Sequence, residues 1–141
     1  MDKYEGLLLK NQLCFPTYAA ANKIVRKYQP LLEKLNLTYT QYIVMMVMWE
    51  KRQAHEKELC EALRLNTNTL APLLKRLKEK DFVHLEKDPK DKRNLIITLT
   101  QAGEQLKEKA VDIPPSIAEE FHLSEEEAVL LYKILYKILD H

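Results

Sequence analysis

Cys14 is the side chain of this chain with the most obvious reactivity, and it lies in the stretch NQLCFPTY. A thiolate attacks peroxides and disulfides, so a cysteine in surroundings that favour the anion can sense oxidants or act as a catalytic nucleophile. Pro16 is tolerated in the first turn of a helix, so a helix that begins near Asn11 or Gln12 places Cys14 in that turn. The N–H groups and positive potential there favour a thiolate. A buried, unreactive cysteine is the alternative.

A second informative group of residues lies at a predicted helix start in the middle of the chain. Short amide and hydroxyl side chains there can reach base edges or phosphates, and cations further along the helix can contact the DNA backbone. The alternative is a capped amphipathic helix whose basic face is only solvated. The candidate DNA-binding residues are Asn66, Thr67, Asn68, Thr69, Lys75 and Arg76.

The charged loop DPKDKR separates two strand-like segments, FVHLEK and NLIITLT, and predicts a hairpin. Arg93 is suited to a narrow, electronegative minor groove, and Asp91 is close enough to orient its guanidinium group. Lys90 and Lys92 are candidates for phosphate contacts. An ordinary polar hairpin loop is the alternative, but a hairpin directly after a helix pair is typical of a wing.

The elements that must position these residues are mostly helical. Apolar residues recur at three- and four-residue spacing over residues 12–28, and Gln29-Pro30 is expected to end that helix. Thr38 and Gln41 form a capping-box pattern before YIVMMVMWE, for which a strand is the competing interpretation. EKELCEALRL and TLAPLLKRLKEK form a helix-turn-helix. The fold class is therefore mainly α (α+β), a winged helix-turn-helix.

The C-terminal part predicts two more helices. Thr100 is a candidate cap for the first of them, and Ser124 with Glu127 forms a capping box before AVLLYKILYKIL. The last helix carries too many apolar residues for a lone surface helix, which favours pairing with a second copy in a homodimer. The predicted division is 1–37 for dimerisation and the redox cysteine, 38–100 for DNA binding, and 101–141 for dimerisation.

Composition limits the class of protein. The chain has 141 residues, 30% of them charged, with two glycines and a net charge of +1. Lys and Arg outnumber Asp and Glu over residues 66–93, and the reverse holds over 112–141, which is compatible with a nucleic-acid face. Without a membrane span or a secretory leader, a cytoplasmic protein with free thiols is expected. The four histidines show no ligand spacing, so neither a metal site nor a cofactor is predicted.

The sequence resembles the multiple antibiotic resistance regulator (MarR) family of dimeric winged-helix repressors. The residues that carry the resemblance are Asp91-Lys92-Arg93 and then Leu99-Thr100-Gln101-Ala102-Gly103, where the family shows D-x-R and L-T-x-x-G. Within the family it is similar to the organic hydroperoxide sensor branch (OhrR) and to the redox regulators MgrA and SarZ. The segments that carry this likeness are NQLCF, YQPLLEKLNLTYTQY, LNTNTLAPLLKRL, DKRNLIITLT and LKEKAVDIP. The resemblance covers residues 11–114.

The resemblance implies a peroxide-reactive thiol at Cys14 that is held by the hydroxyls of Tyr28 and Tyr39 across the dimer. Two-cysteine sensors of this branch have a resolving cysteine in the C-terminal helical region, but no cysteine follows Cys60 here. Cys60 is interpreted as a small packing residue. The chain therefore resembles the single-cysteine type, in which oxidised Cys14 forms a mixed disulfide with a low-molecular-weight thiol. Pro16 departs from the branch, which more often has an aliphatic residue there.

The predicted function is a homodimeric transcription regulator, a repressor, that binds a pseudo-palindromic operator in double-stranded DNA. Oxidation of Cys14 by organic hydroperoxide or a related oxidant is expected to release the operator; no enzymatic activity is expected. One alternative is a MarR-type repressor that a small aromatic ligand releases. Alternatives of other classes are a thiol peroxidase, with Cys14 as nucleophile, and a purely structural helical dimer.

Overall fold

The computed structural model describes residues 2–141, which form two compact units: the first ends at Val111, and the second is Asp112–His141. The helices are α1 (Cys14–Glu33), α2 (Tyr39–Lys51), α3 (Glu56–Leu63), α4 (Thr67–Glu79), α5 (Gln101–Ala110), α6 (Ile113–Glu119) and α7 (Glu125–Leu139). The strands are β1 (Gln53–His55), β2 (Val83–Lys87) and β3 (Leu95–Leu99). The predicted fold class, a mainly helical chain with a winged helix-turn-helix, is confirmed. The three-part functional division stays a prediction.

The first helix is longer than the sequence predicts. The expected end at Gln29-Pro30 is wrong, because α1 continues through Pro30 to Glu33. A proline inside a helix costs about 3 kcal/mol. The turn that it precedes buries Leu32, and Leu35 is buried just beyond. Each of these side chains stabilises the fold by roughly 1.5–3 kcal/mol, which offsets the cost of the proline.

Helix α2 is the centre of the first unit. It begins at the predicted capping box, in which the Thr38 hydroxyl accepts from the Gln41 N–H at 3.3 Å and the Gln41 side chain accepts from the Thr38 N–H at 3.1 Å. The competing strand interpretation of this stretch is wrong. Val44, Met45 and Met48 are completely buried, as a central helix requires.

The predicted hairpin is present as β2 and β3, and a third strand joins it. The sheet order is β1-β3-β2, with both pairs antiparallel, and Ile97 on β3 faces Ala54 on one side and Leu85 on the other. Strand β1 was not predicted, because Gln53-Ala54-His55 is too short and contains no β-branched residue. Strand β1 connects the central helix α2 directly to the helix-turn-helix formed by α3 and α4. The sheet therefore fixes the wing to the helix-turn-helix.

Helix α5 begins at the predicted cap, where the Thr100 hydroxyl accepts from the Gly103 N–H at 3.0 Å. Gly103 then packs against the turn that precedes β2. A Cβ at this position would lie 2.3 Å from the carbonyl oxygen of Phe82, and 2.8 Å from Leu99. The indole N–H of Trp49 donates to the Gly103 carbonyl at 2.9 Å. The glycine is therefore what lets α5 approach both the sheet and α2.

Candidate nucleic-acid interface and thiol site

The first turn of α4 gathers the four short polar residues that the sequence singled out. Asn66 is its N-cap, and its Oδ1 accepts a hydrogen bond from the Thr69 N–H at 2.8 Å. Thr67, Asn68 and Thr69 follow and are exposed. The cap uses one acceptor position of Asn66, while its amide nitrogen remains a donor. The start of α4 therefore presents the short polar side chains that a recognition helix uses in a DNA groove. DNA contacts by these residues stay a prediction.

The body of α4 separates an apolar face from a basic one. Leu70, Leu74 and Leu77 are buried at three- and four-residue spacing, which anchors the helix on the core. Lys75 and Arg76 lie between these anchors and are exposed. The buried stripe therefore determines which face of α4 carries the predicted phosphate-binding cations.

The wing carries an arginine that its own loop holds in place. The Asp91 carboxylate accepts from Arg93 Nε at 3.1 Å and from Arg93 Nη2 at 3.3 Å. These bonds and one from the Arg93 backbone N–H hold the pKa of Asp91 below its usual range. The Arg93 side chain is 90% exposed, and Lys90 and Lys92 beside it are also exposed. The predicted Asp91–Arg93 contact is present; minor-groove binding by Arg93 stays a prediction.

Cys14 is the first residue of α1, and it is exposed. The helix start has no side-chain cap at Leu13. The amides that precede the cysteine fold back instead: Asn11 Nδ2 donates to the Glu5 carbonyl at 2.8 Å, and Gln12 Nε2 donates to the Gly6 carbonyl. These bonds connect the two short 3₁₀ turns, Glu5–Leu7 and Leu9–Asn11, that lead into the helix. Cys14 lies in a first turn, as predicted, but the predicted helix start near Asn11 or Gln12 is wrong, because those residues belong to the preceding 3₁₀ turn and its end.

Tyr28 and Tyr39 lie side by side within one chain. Their ring centroids are 4.9 Å apart, and Tyr42 completes a cluster at 5.8 Å from Tyr28 and 6.3 Å from Tyr39. Burial, followed by the charges of the other two phenols, raises the pKa of Tyr28 to about 12. Burial also raises the pKa of Tyr39 and of Tyr42. The cluster therefore presents neutral hydroxyls, which can donate hydrogen bonds to an anion.

Tyr42 was missed by the sequence reasoning. The signal that could have found it is its spacing of three residues from Tyr39 in a predicted helix, which places both rings on one face.

The structure keeps Cys14 apart from Tyr28 of its own chain. Cys14 and Tyr28 are fourteen residues apart in the same helix. At 1.5 Å per residue, about 21 Å of helix separates them. The thiol of one chain therefore cannot contact the phenol of that chain while α1 is intact. Only a second copy can bring them together.

Large apolar side chains remain exposed at both ends of the chain. On the N-terminal side Leu13 is 81% exposed and Tyr18 67%. In α7 no residue is buried, and several large apolar side chains are more than 40% exposed, namely Val129, Leu130, Leu131, Tyr132, Ile134, Tyr136, Ile138 and Leu139. Surfaces of this kind are typical of protein–protein contacts.

Cys60 is only partly buried, so the expectation of a buried position is wrong, and its role as a packing residue stays a prediction. Helix α3 buries only Leu59, and Cys60 is the next residue along the helix. The thiol lies 3.9 Å from the Thr67 hydroxyl and lines an open cavity of about 330 Å³ with Lys57 and Arg93. Within residues 2–141, no group of three His, Cys, Asp or Glu side chains is arranged to hold a metal ion.

Comparisons with known proteins place this geometry among regulators of transcription. The family model described as transcriptional regulator SarA/Rot matches residues 26–110. The organic hydroperoxide resistance transcriptional regulator of Bacillus subtilis is 39% identical over 139 residues, which cover 99% of this chain and 95% of that protein. The regulator SarZ of Staphylococcus aureus is 40% identical over 124 residues, 88% of this chain and 84% of that protein.

A solved structure agrees over nearly the whole length. The structure of reduced AbfR bound to DNA, a protein of Staphylococcus epidermidis, superposes with a TM-score of 0.82 at 34% identity and covers 99% of this chain and 98% of that one. None of the helices in the described residues is both long enough and apolar enough to pass through a membrane.

Proposed function

Because this chain belongs to the SarA/Rot family of transcriptional regulators, we propose that it binds operator DNA as a homodimer and releases it when Cys14 is oxidised. The resemblance to the organic hydroperoxide branch of MarR-like regulators is confirmed by the relatives. The observation that carries the redox part is the exposed thiol of Cys14 as the first residue of an uncapped helix. The start of a helix carries a partial positive charge, which attracts an anionic group.

DNA binding is supported by the two surfaces that the first unit presents. The exposed first turn of α4 suits the major groove, and the exposed Arg93, oriented by Asp91, suits the minor groove beside it. Exposed lysines on the helix and wing match the phosphate backbone. In a symmetric dimer the two α4 helices would read half-sites about 34 Å apart, which is one turn of DNA. A pseudo-palindromic operator follows from that symmetry.

A second copy of this chain is the partner that the exposed apolar residues of α1 and α7 fit best. The reactive site itself requires the copy, because about 21 Å of helix separates Cys14 from Tyr28 in one chain. In the dimer, the phenols of Tyr28 and Tyr39 donate to the Cys14 thiolate of the partner chain and favour the anion. Each dimer then holds two equivalent sites, each made of residues from both chains.

The chemistry at Cys14 is a two-electron oxidation. The thiolate attacks one peroxide oxygen, so that an S–O bond forms and the O–O bond breaks. The leaving alkoxide takes up a proton as the alcohol, and Cys14 becomes a sulfenic acid. A low-molecular-weight thiol then attacks the sulfenic sulfur; an S–S bond forms and water leaves. The product is a mixed disulfide on Cys14.

Release of DNA follows from the size of that product. A mixed disulfide cannot occupy the space of a thiolate between two phenols, so the Tyr28 and Tyr39 contacts separate. Tyr28 lies in α1, and Tyr39 is the first residue of α2. These two helices connect the thiol to the helix-turn-helix. A change in their position alters the spacing of the two α4 helices, and the operator no longer fits both. The proposed role is that of a repressor, which oxidation would inactivate by releasing the operator.

The experiment measures oxidation and DNA binding on the same samples. Wild-type protein, Cys14→Ser and the matched control Cys60→Ser are treated with cumene hydroperoxide, with and without a small thiol. Intact mass spectrometry and gel shift with a duplex selected from a random library follow. We expect wild type and Cys60→Ser to gain the adduct and lose DNA, and Cys14→Ser to do neither.

Other outcomes separate the alternatives. Release of DNA from Cys14→Ser by peroxide would overturn the redox proposal. Many turnovers of peroxide per thiol with a reductant present would identify a thiol peroxidase, since a sensor reacts once per thiol. Release by a small phenol with no mass change would favour a ligand-controlled repressor, and no salt-dependent DNA binding would leave a structural dimer.

A further inference from the structure

His55 occupies the junction between the helix-turn-helix and the wing. It ends β1 and is the residue before α3. Its ring nitrogens face carboxylates on two different elements: Nδ1 lies 3.2 Å from Glu58 Oε1 on α3, and Nε2 lies 3.3 Å from Asp88 Oδ2 on the wing. The His55 side chain therefore connects the base of the wing to α3, which packs against α4.

The charges around His55 favour the protonated imidazole, although Nδ1 of a neutral ring could accept from the Glu58 backbone N–H. A neutral imidazole has one N–H donor, and its other nitrogen is an acceptor, which would face a carboxylate oxygen. The imidazolium ion donates from both nitrogens. Lys51, at the end of α2, binds the second oxygen of Glu58 at 3.3 Å, and the residue paired with His55 on β3 is the uncharged Ile96.

Asp88 transmits this contact to the DNA-binding loop. Its Oδ1 accepts from the Lys90 N–H at 2.9 Å, and its backbone N–H donates to the Asn94 carbonyl at 2.9 Å. The Asp88 side chain is only 15% exposed, so its position is well defined. Arg93 lies in the loop that these two bonds close. The carboxylate that meets His55 therefore also sets the start of the loop that carries Arg93.

We propose that His55 is a positioning residue that holds the wing in its DNA-binding orientation when its ring carries two protons, and that DNA affinity falls when one proton is lost. The inference rests on the proposed DNA-binding function. With neutral His55 the ion pair to Asp88 is lost: one tautomer keeps only a neutral hydrogen bond from Nε2, with Nδ1 accepting from the Glu58 N–H, and the other has no donor for Asp88. The wing then gains freedom that DNA binding must remove. The protein would sense pH through the wing, independently of oxidation at Cys14.

The direction of the pH effect follows from the contacts. Hydrogen bonds to Glu58, and then to Asp88, raise the pKa of His55 above its usual value. We call the two contacts of protonated His55, with Glu58 and with Asp88, the His55 clamp. Because the pKa of His55 is raised in the folded state, the clamp is complete below pH about 6.5, the ordinary pKa of histidine. The clamp is lost as pH rises through the higher folded-state pKa of His55.

The test compares pH profiles of DNA affinity between pH 5.5 and 8.5 at fixed ionic strength. It uses reduced full-length protein and a fluorescent duplex selected by the wild type from a random library. The variants are His55→Gln, which cannot titrate, Asp88→Asn, which removes the wing carboxylate, and the control His84→Gln, an exposed histidine on β2. NMR of the imidazole nitrogens follows the titration of His55 directly.

For wild type and His84→Gln we expect the dissociation constant to rise with pH by about twofold to fivefold more than for His55→Gln, as suits partly exposed ion pairs. Asp88→Asn should flatten the profile and bring the His55 titration closer to that of a free histidine. Equal pH profiles for wild type and His55→Gln would overturn the proposal, because every other titrating group is common to both proteins. No DNA binding at any pH would overturn the proposed function as well.

Discussion

Replacing Gly103 by alanine should destabilise the first unit, although Gly→Ala inside a helix is ordinarily favourable by about 0.5–1 kcal/mol. The new Cβ would lie 2.3 Å from the Phe82 carbonyl oxygen and 2.8 Å from Leu99 Cδ1. An ordinary contact is roughly 3.5 Å, so α5 must move by about 1 Å. The nearest atom is backbone, which cannot rotate away as a side chain can.

The movement also affects two hydrogen bonds of Gly103. Its carbonyl accepts from the buried Trp49 indole, and its N–H donates to the Thr100 cap. Overpacking costs about 1–3 kcal/mol, and each weakened bond adds up to about 1 kcal/mol. After the helix-propensity gain is subtracted, we expect a net loss of about 2–4 kcal/mol in the free energy of unfolding. The melting temperature should fall by about 4–16 °C, at roughly 2–4 °C per kcal/mol for a chain of nearly 150 residues.

The assay is urea and thermal unfolding followed by fluorescence of Trp49, the only tryptophan, at matched protein concentration. The chain offers its own control, because a Cβ on Gly6, its other glycine, meets nothing within 4 Å. Gly6→Ala should change stability by less than about 0.5 kcal/mol, as surface substitutions do. If Gly103→Ala were as stable as wild type, the close approach of α5 to Phe82 would be refuted.

Two further substitutions separate structural from DNA-binding roles. Asn66→Ala should cost about 1 kcal/mol of stability through loss of the cap, whereas Asn66→Ser keeps the cap; gel shift on both then isolates any base contact by the amide, and equal unfolding curves for the two would contradict the cap. Arg93→Ala should leave stability unchanged but reduce the salt slope of DNA binding by about one. Asp91→Asn keeps the Arg93 charge and frees its orientation, so it should lower affinity with an unchanged salt slope; a reduced slope would argue against an orienting role.

Local signals in the sequence identified most of the fold, because several helices begin directly after a short polar residue that caps them. Thr38, Thr100 and Ser124 each cap the helix that was predicted from them. The prediction failed at Pro30, since a local rule for proline cannot include the burial of Leu32 in the core. It failed again at β1, which exists because β3 pairs with it and not because of its own residue types.

The site was predictable in its parts but not in its assembly. Periodicity placed Cys14 in a first turn, and the loop sequence placed Asp91 beside Arg93. The His55 clamp was not visible, because 33 residues separate His55 from Asp88 and only the sheet brings them together. The exposure of Cys60 was missed because α3 is short and buries a single residue.

The central claim is that Tyr28 and Tyr39 of one chain donate hydrogen bonds to Cys14 of the other chain. A heterodimer tests this claim directly. One chain carries Cys14→Ser, and the other carries Tyr28→Phe with Tyr39→Phe; two affinity tags isolate the mixed species. If the phenols act across the dimer, the remaining Cys14 faces two intact tyrosines and should react with cumene hydroperoxide at the wild-type rate. The homodimer of the tyrosine variant should be about tenfold slower, as loss of a hydrogen bond to a charged group implies. A mixed dimer as slow as that homodimer would show that the phenols act within their own chain and would contradict the account.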